Sequence, residues 1–142
     1  MSDDTRVPVS LDDVERGFLR AAMLEWGGPA RPTDALAGAM GFTSADSLAD
    51  ETWALWERIE AGDALATDDW RRVLLAAEIV FASDVVGSGL DWPITTDFSD
   101  KESIAILRGL QRKLPRSRDS VQFTIDETGG VDISDPERGP FP

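Results

Sequence analysis

The chain has 142 residues, a formal net charge of −13, and neither histidine nor cysteine. It therefore lacks a histidine general base, a thiolate nucleophile and the usual zinc ligands, so we expect a protein that is not an enzyme and holds no cofactor. The length fits a single domain over 1–142, and the 42% hydrophobic content is that of a folded protein.

The acidic charge predicts the class of partner. A negative surface repels phosphate backbones, so nucleic-acid binding is not expected, whereas opposite charge speeds association with basic proteins. No leader and no apolar stretch of roughly 18 residues is evident, so we expect no membrane association, and the absence of cysteine favours a cytoplasmic location. An acidic source proteome would produce the same charge, so the charge alone establishes no function.

The first half of the chain predicts two helices after a frayed tail. Residues 1–7 are polar and show no periodicity, which is typical of a loose terminus. The first helix begins with Ser10 as its N-cap and ends at Gly27-Gly28-Pro29. A short second helix is predicted from Thr33 to Met40.

The third and fourth helices form the predicted centre of the fold. The third begins after Thr43 or Ser44 and ends at Gly62. The fourth covers about 67–86, and its apolar residues surround the axis, which is typical of a helix covered on most sides. We therefore expect this helix to be central.

The last part of the chain predicts a fifth helix and a β-hairpin. Ser99 and Glu102 have the spacing of a capping box at the start of that helix. Apolar residues then alternate on both sides of Thr128-Gly129-Gly130, which indicates a hairpin over about 121–134, before a frayed tail over 135–142. The expected fold class is α+β, mostly α, with about five helices around the central one.

The segment from Ala35 to Leu48 has the appearance of a helix-turn-helix, with Gly41 at the turn. The second of its helices carries many more acids than bases, and phosphates would be repelled. The charged residues are Asp46, Asp50, Glu51, Glu57 and Glu60 against Arg58. We interpret this segment as a simple helical hairpin.

Carboxylates in and after the fourth helix suggest an alternative function. Glu78 and Asp84 interrupt its apolar run, and a carboxylate on a covered helix must be paired or hydrogen-bonded. Asp84, Asp91 and Asp97, together with Ser88, are candidates for an oxygen-only magnesium or calcium site. A metal-dependent enzyme or small-molecule binder using the Glu78, Asp84 and Asp91 region is therefore one alternative. The structural alternative is salt bridges to Arg71, Arg72 or Arg108.

Tryptophan is frequent, with five residues in the chain, and it is enriched at protein interfaces. We expect core positions for Trp26, Trp56 and Trp70. Trp53 and Trp92 are as well suited to the core as to an interface, and together with Asp84 and Asp91 they are the predicted partner-binding residues.

One basic patch lies around the end of the fifth helix, and it could dock on an acidic surface of a second copy. Its members are Arg108, Arg112, Lys113, Arg116 and Arg118. Cations also suit a helix C-terminus, so stability alone could account for the patch. A homodimer or other self-associating structural protein is therefore a further alternative.

The leading hypothesis is a small acidic protein-binding module that covers a basic surface of its partner, such as an immunity protein, an antitoxin, an adaptor or an inhibitor. Charge, size and the missing catalytic residue types all permit this function.

Overall fold

The computed structural model describes residues 5–115, 122–125, 131–135 and 139–140. These residues form a mostly helical α+β fold. The helices are α1 Asp13–Glu25, α2 Asp34–Met40, α3 Ala45–Glu60, α4 Thr67–Ala82, α5 Trp92–Thr95 and α6 Asp100–Lys113, with a 3₁₀ turn at Gly89–Asp91. The strands are β1 Arg6–Val7, β2 Leu65–Ala66, β3 Gln122–Ile125, β4 Val131–Asp135 and β5 Gly139–Pro140.

The strands form two antiparallel sheets. β1 pairs with β2, and β4 pairs with both β3 and β5. Residues 121 and 126–130 lie outside the described residues, so the predicted hairpin with its turn stays a prediction. Of the predicted C-terminal tail, 136–138 and 141–142 also lie outside them, whereas Asp135 belongs to β4 and Gly139–Pro140 form β5, so the prediction of a frayed tail is wrong at these residues.

The predicted N-terminal tail is wrong at Arg6 and Val7. Both residues form β1, and the indole Nε1 of Trp70 donates a hydrogen bond of 2.8 Å to the carbonyl oxygen of Val7. A two-residue strand is too short to produce a visible alternation in the sequence, and its partners lie some sixty residues further along the chain.

Local capping explains where most helices begin. Ser99 caps α6 as predicted, with Glu102 completing the capping box, and Ser44, one of the two predicted candidates, caps α3. Thr33, at the predicted start of α2, is its N-cap. For α1 the prediction of Ser10 is wrong, because Asp12 is the N-cap and makes a capping box with Glu15.

Helix α4 ends at Ala82, four residues before the predicted end. Ser83 has extended backbone angles, and its hydroxyl oxygen accepts a hydrogen bond from the N–H of Val86 at 3.1 Å. A serine that bonds to nearby backbone in this way offers the chain an alternative to the helix. The apolar sequence beyond Ser83 therefore belongs to a turn.

Helix α4 packs against α1, α2, α3 and α6, and the main core surrounds it. Trp26, Trp56 and Trp70 are all buried, as predicted. The indole Nε1 of Trp26 donates to the carbonyl oxygen of Ala76 at 3.1 Å, which joins α1 to α4. Among the described residues, no helix has the length and apolar character needed to cross a membrane.

Candidate functional site

The segment between α4 and α6, residues 83–98, contains most of the predicted site residues, and we call it the α4–α6 connector. Its fixed point is Trp92, which is fully buried. The indole ring lies 5.3 Å from the ring of Phe18 and 5.7 Å from that of Phe81, and its Nε1 donates to Ser103 Oγ at 2.8 Å. Trp92 is therefore a core residue that holds the connector, and its ring is not accessible to a partner.

A glycine turn shapes the exposed part of the connector. Gly89 has a positive φ of 49°, and a Cβ at this position would lie 2.3 Å from the Cα of Asp84. Only glycine permits this approach without displacing backbone. The turn is closed by Asp84, whose Oδ1 accepts a hydrogen bond from the N–H of Leu90 at 2.8 Å.

The connector exposes three large apolar side chains. Val85, Leu90 and Ile94 are 85%, 78% and 80% exposed, more than any other large hydrophobic residue in the part of the chain where side chains are described. Leu90 and Ile94 are four residues apart in successive helical turns, a spacing that places them on one side. Apolar side chains concentrated on a fixed segment are typical of an interaction surface.

Beside these side chains lies a groove of about 340 Å³, which we call the connector groove. Its lining includes both predicted carboxylates, Asp84 and Asp91, which are exposed. Pro29 and Arg31, from the loop between α1 and α2, also line it, and the N–H of Arg31 donates to the carbonyl oxygen of Val86 at 2.6 Å. Two segments far apart in sequence therefore form one groove.

One lining residue of the connector groove, Ser88, has a buried hydroxyl without a hydrogen-bond partner among the described residues. Ser88 lines the groove and is only 3% exposed, and its hydroxyl makes no hydrogen bond within the described part of the chain. The backbone of Ser88 is well anchored, because its N–H donates to the carbonyl oxygen of Val80 at 2.7 Å. A buried hydroxyl left unpaired is costly, which favours a ligand that supplies the missing bond.

The predicted metal site does not assemble. Asp97 lines a different cavity, formed by α1 and the end of the connector, and not the groove of Asp84 and Asp91. Within residues 5–115 no three carboxylates come close enough together to hold a metal ion. In the connector the buried Trp92 stands between Asp91 and Asp97, and the two aspartates line different cavities.

Glu78 is also separate from the connector groove. It is half-buried, and its Oε2 accepts a hydrogen bond of 2.6 Å from Nε2 of Gln111 on α6. Its partner is an amide rather than one of the predicted arginines. The proposed grouping of Glu78 with Asp84 and Asp91 is therefore not formed.

Trp53, the other predicted interface residue, lies on α3 and is half-buried. The guanidinium of Arg20 on α1 lies 6.0 Å from the centroid of its indole ring. This contact is at the outer limit of a cation–π interaction, worth about 0.5–1 kcal/mol at exposed sites. Part of the ring remains available to solvent, so Trp53 stays a predicted partner-binding residue.

The predicted basic patch is partly used inside the fold. Lys113 donates to Oε1 of the buried Glu15 at 2.6 Å and to the carbonyl oxygen of Ser10 at 3.1 Å, which joins the end of α6 to the start of α1. Arg108 donates to Gln111 at 2.7 Å. The predicted members at 116 and 118 lie outside the described residues.

A second polar cluster, which we call the α3 latch, occupies the turn between α2 and α3. The carboxylate of Glu51 accepts hydrogen bonds from the N–H of Thr43 at 3.0 Å, the hydroxyl of Thr43 at 2.7 Å and the hydroxyl of Ser47 at 3.0 Å. Burial raises the pKa of Glu51, but these bonds and the charge of Arg72 outweigh it, so the pKa lies below its ordinary value.

Arg72 completes the latch from α4. Its guanidinium donates to the carbonyl oxygen of Gly41 at 2.8 Å and pairs with Asp69 at 2.9 Å, and Arg58 approaches the same carboxylate at 3.4 Å. Each of these charged groups has a partner in the fold. The latch therefore has the properties of a structural cluster that holds the α2–α3 turn on α4.

Sequence reasoning missed Glu25, which is 7% exposed at the end of α1. Its Oε1 accepts a hydrogen bond from the hydroxyl of Thr95, which joins α1 to the connector. An acid in the last turn of a helix opposes the helix dipole, and this is the sequence signal that could have revealed a specific partner. The exposed Leu90 and Ile94 were missed because exposure depends on tertiary packing.

Comparison with protein-family models, curated proteins and solved structures finds no match for this chain, so its function is argued from its own geometry.

Proposed function

We propose that this protein is a small acidic protein-binding module without catalytic activity, and that the α4–α6 connector contacts the partner. The observation that supports the proposal is the concentration of exposed apolar side chains at Val85, Leu90 and Ile94. Full burial of a side chain of this size contributes about 1.5–3 kcal/mol, so three of them supply a useful share of a binding free energy.

The charges around the connector favour a basic partner. Asp84 precedes Val85 and Asp91 follows Leu90, both aspartates are exposed, and the whole chain carries −13. Complementary charge raises the association rate and discriminates against acidic proteins. An apolar centre with an acidic border also matches the general anatomy of transient interfaces, in which the rim is polar.

Anchoring makes the connector suitable for recognition. The buried indole of Trp92 attaches the connector to the core, and the Glu25–Thr95 hydrogen bond attaches it to α1. A segment that is already ordered loses little conformational entropy on binding, and more of the contact energy appears as affinity.

The test is a pull-down from native lysate at low and moderate salt, with quantitative mass spectrometry. The bait is compared with the triple variant Val85→Ser, Leu90→Ser and Ile94→Ser, and with a charge-matched acidic protein. The control Val14→Ser and Ile104→Ser removes two exposed apolar side chains that lie on α1 and α6.

We expect one stoichiometric basic partner that survives moderate salt, is retained by the control and loses at least tenfold affinity with the triple variant. Equal capture by the triple variant and the original chain would contradict the proposal. Sedimentation of the purified chain distinguishes a separate partner from self-association. A dimer that the triple variant abolishes would show that the connector binds a second copy instead.

A further inference from the structure

The connector groove combines features that recognise one kind of side chain. Its lining residues include two acids, Asp84 and Asp91, one arginine, Arg31, and Ser88, whose buried hydroxyl has no partner in the described part of the chain. Building on the proposed function, we propose that the connector groove receives an arginine side chain of the protein partner.

The charge balance favours a single cation. Asp84 and Asp91 together carry two negative charges and Arg31 carries one positive charge, so these groups sum to −1. One guanidinium neutralises this charge, whereas an anionic ligand would face both carboxylates. The exposed apolar side chains of Val85 and Leu90 also line the groove, and they cover the aliphatic part of an arginine.

The hydrogen-bonding groups favour arginine over lysine. Oδ1 of Asp84 is held by the N–H of Leu90, which fixes the direction of the carboxylate and leaves Oδ2 for a ligand. Ser88 lines the same groove, and its hydroxyl, which is covered in the unbound protein, has no hydrogen-bond partner within the described residues. A guanidinium has five N–H donors in a planar fork and reaches several acceptors at once, which an ammonium does less well.

The size of the groove is consistent with one side chain. Its volume of about 340 Å³ is near the lower end of the range for ligand clefts, roughly 300 Å³. The hydrogen bond from Arg31 to Val86 joins the two segments that line the groove, and the bond from Leu90 to Asp84 closes the turn at Gly89. The groove is therefore formed before the partner arrives.

The experiment is an NMR titration of the full ¹⁵N-labelled chain with N-acetyl-arginine amide. N-acetyl-citrulline amide serves as the probe of similar shape without charge. We expect saturable shifts in the millimolar range, confined to residues 84–91 and the neighbourhood of Arg31, and at least tenfold weaker binding of the citrulline probe. Shifts that spread over acidic residues elsewhere, or equal binding of both probes, would overturn the proposal.

Two variants test the named residues. Asp84→Asn with Asp91→Asn keeps an oxygen acceptor for the N–H of Leu90 and is expected to weaken arginine binding at least tenfold. Asp50→Asn with Asp63→Asn makes the same charge change at exposed positions outside the groove and is expected to leave binding within twofold. Equal losses in both double variants would reduce the effect to general electrostatics and overturn the assignment.

Ser88→Ala separates recognition from folding. Because the Ser88 hydroxyl has no partner in the described part of the chain, its loss is expected to leave the unfolding midpoint unchanged while weakening arginine binding severalfold. Unchanged arginine binding would remove Ser88 from the proposal. Free L-arginine is the last arm, since binding tenfold tighter than that of the capped probe would indicate a small metabolite rather than a protein side chain.

The two sets of variants distinguish failure of the arginine site from failure of the proposed function. A partner lost by the triple apolar variant but insensitive to Asp84→Asn with Asp91→Asn would support the connector as the binding surface and overturn the arginine site. A partner whose binding is unchanged by the triple apolar variant and by Asp84→Asn with Asp91→Asn would overturn the two proposals together.

Discussion

The α2–α3 turn and the α4–α6 connector both contain a glycine with positive φ, Gly41 at 96° and Gly89 at 49°, yet they use their polar groups differently. In the first, the α3 latch pairs Glu51, Asp69 and Arg72 with groups of the fold. In the second, the Ser88 hydroxyl is unpaired and large apolar side chains are exposed.

The difference shows how a physical argument separates a structural cluster from a candidate binding surface. Charged residues at a turn indicate little until their partners are counted, because polar groups satisfied by the fold gain nothing from a ligand. The connector differs because a buried tryptophan anchors it while the side chains of Val85, Leu90 and Ile94 remain mostly exposed. Variants in the α4–α6 connector and in the α3 latch test this difference.

The largest effect is expected at the anchor of the connector. Trp92→Ala removes a fully buried indole, two ring contacts and the hydrogen bond to Ser103, and should lower the free energy of unfolding by about 3–5 kcal/mol. Urea unfolding measures this loss. Trp53→Ala is the matched control, and its half-buried ring should cost clearly less. Equal losses would contradict the assignment of Trp92 to the core.

The second effect distinguishes the two turns. Gly89→Ala forces a Cβ against the backbone of Asp84 and should cost about 1–3 kcal/mol or more in urea unfolding. The φ of 96° at Gly41 also strains an alanine, but Gly41→Ala is expected to cost less because the added Cβ meets side-chain atoms of Arg72 rather than backbone.

Gly38→Ala is the control for both glycine variants. This residue lies inside α2 with nothing near its added Cβ, so the substitution should stabilise the helix by about 0.5–1 kcal/mol. A larger loss at Gly41 than at Gly89 would show that the connector turn is the looser of the two.

The third effect concerns pH and the α3 latch. Because the pKa of Glu51 is lower in the folded protein, its ionised form stabilises the fold above its ordinary value of 4.5, and this contribution is lost as pH falls through the folded pKa. Glu51→Gln should cost about 1 kcal/mol at pH 7.

Denaturant unfolding between pH 7 and pH 3 measures the pH dependence of this cost. The difference between Glu51→Gln and the original chain should narrow as the pH falls below 4.5. Asp50→Asn, at an exposed position on the same helix, should show a small difference throughout this range. A cost of Glu51→Gln that does not vary with pH would mean that the latch does not depend on the charge of Glu51.

The smallest effect on stability is expected for the triple variant Val85→Ser, Leu90→Ser and Ile94→Ser. These side chains are mostly exposed, and surface substitutions usually change the free energy of unfolding by less than about 0.5 kcal/mol each. The thermal midpoint should therefore stay close to that of the original chain while partner binding is lost. A large drop in the midpoint would show that these side chains pack in the fold.

Local signals accounted for most of the helical part of the fold. Thr33, Ser44 and Ser99 begin their helices because capping is a bond between residues two or three positions apart. The prediction of Ser10 was wrong because Asp12, two residues later, is also a good N-cap and caps α1 instead. The end of α4 was missed for a related reason, since Ser83 bonds to its own turn and the apolar pattern continues past it.

The candidate site was predicted only in part. Asp84 and Asp91 lie in the groove and are exposed, whereas Asp97 lies in a separate cavity. Trp92 is in the same segment but faces inward. Periodicity fails in a connector because the direction of each side chain there is set by the turn and by long-range contacts rather than by a regular repeat.

The sequence by itself determined the charge, the missing catalytic residue types, most of the helix starts and the helical core, since these depend on composition or on neighbours within a few positions. The tertiary structure alone decided which tryptophan anchors the connector, which apolar side chains remain exposed, and that Arg31 and Asp84 line one groove. Those outcomes depend on which faces of separate helices are covered, and burial is a property of the packed chain as a whole.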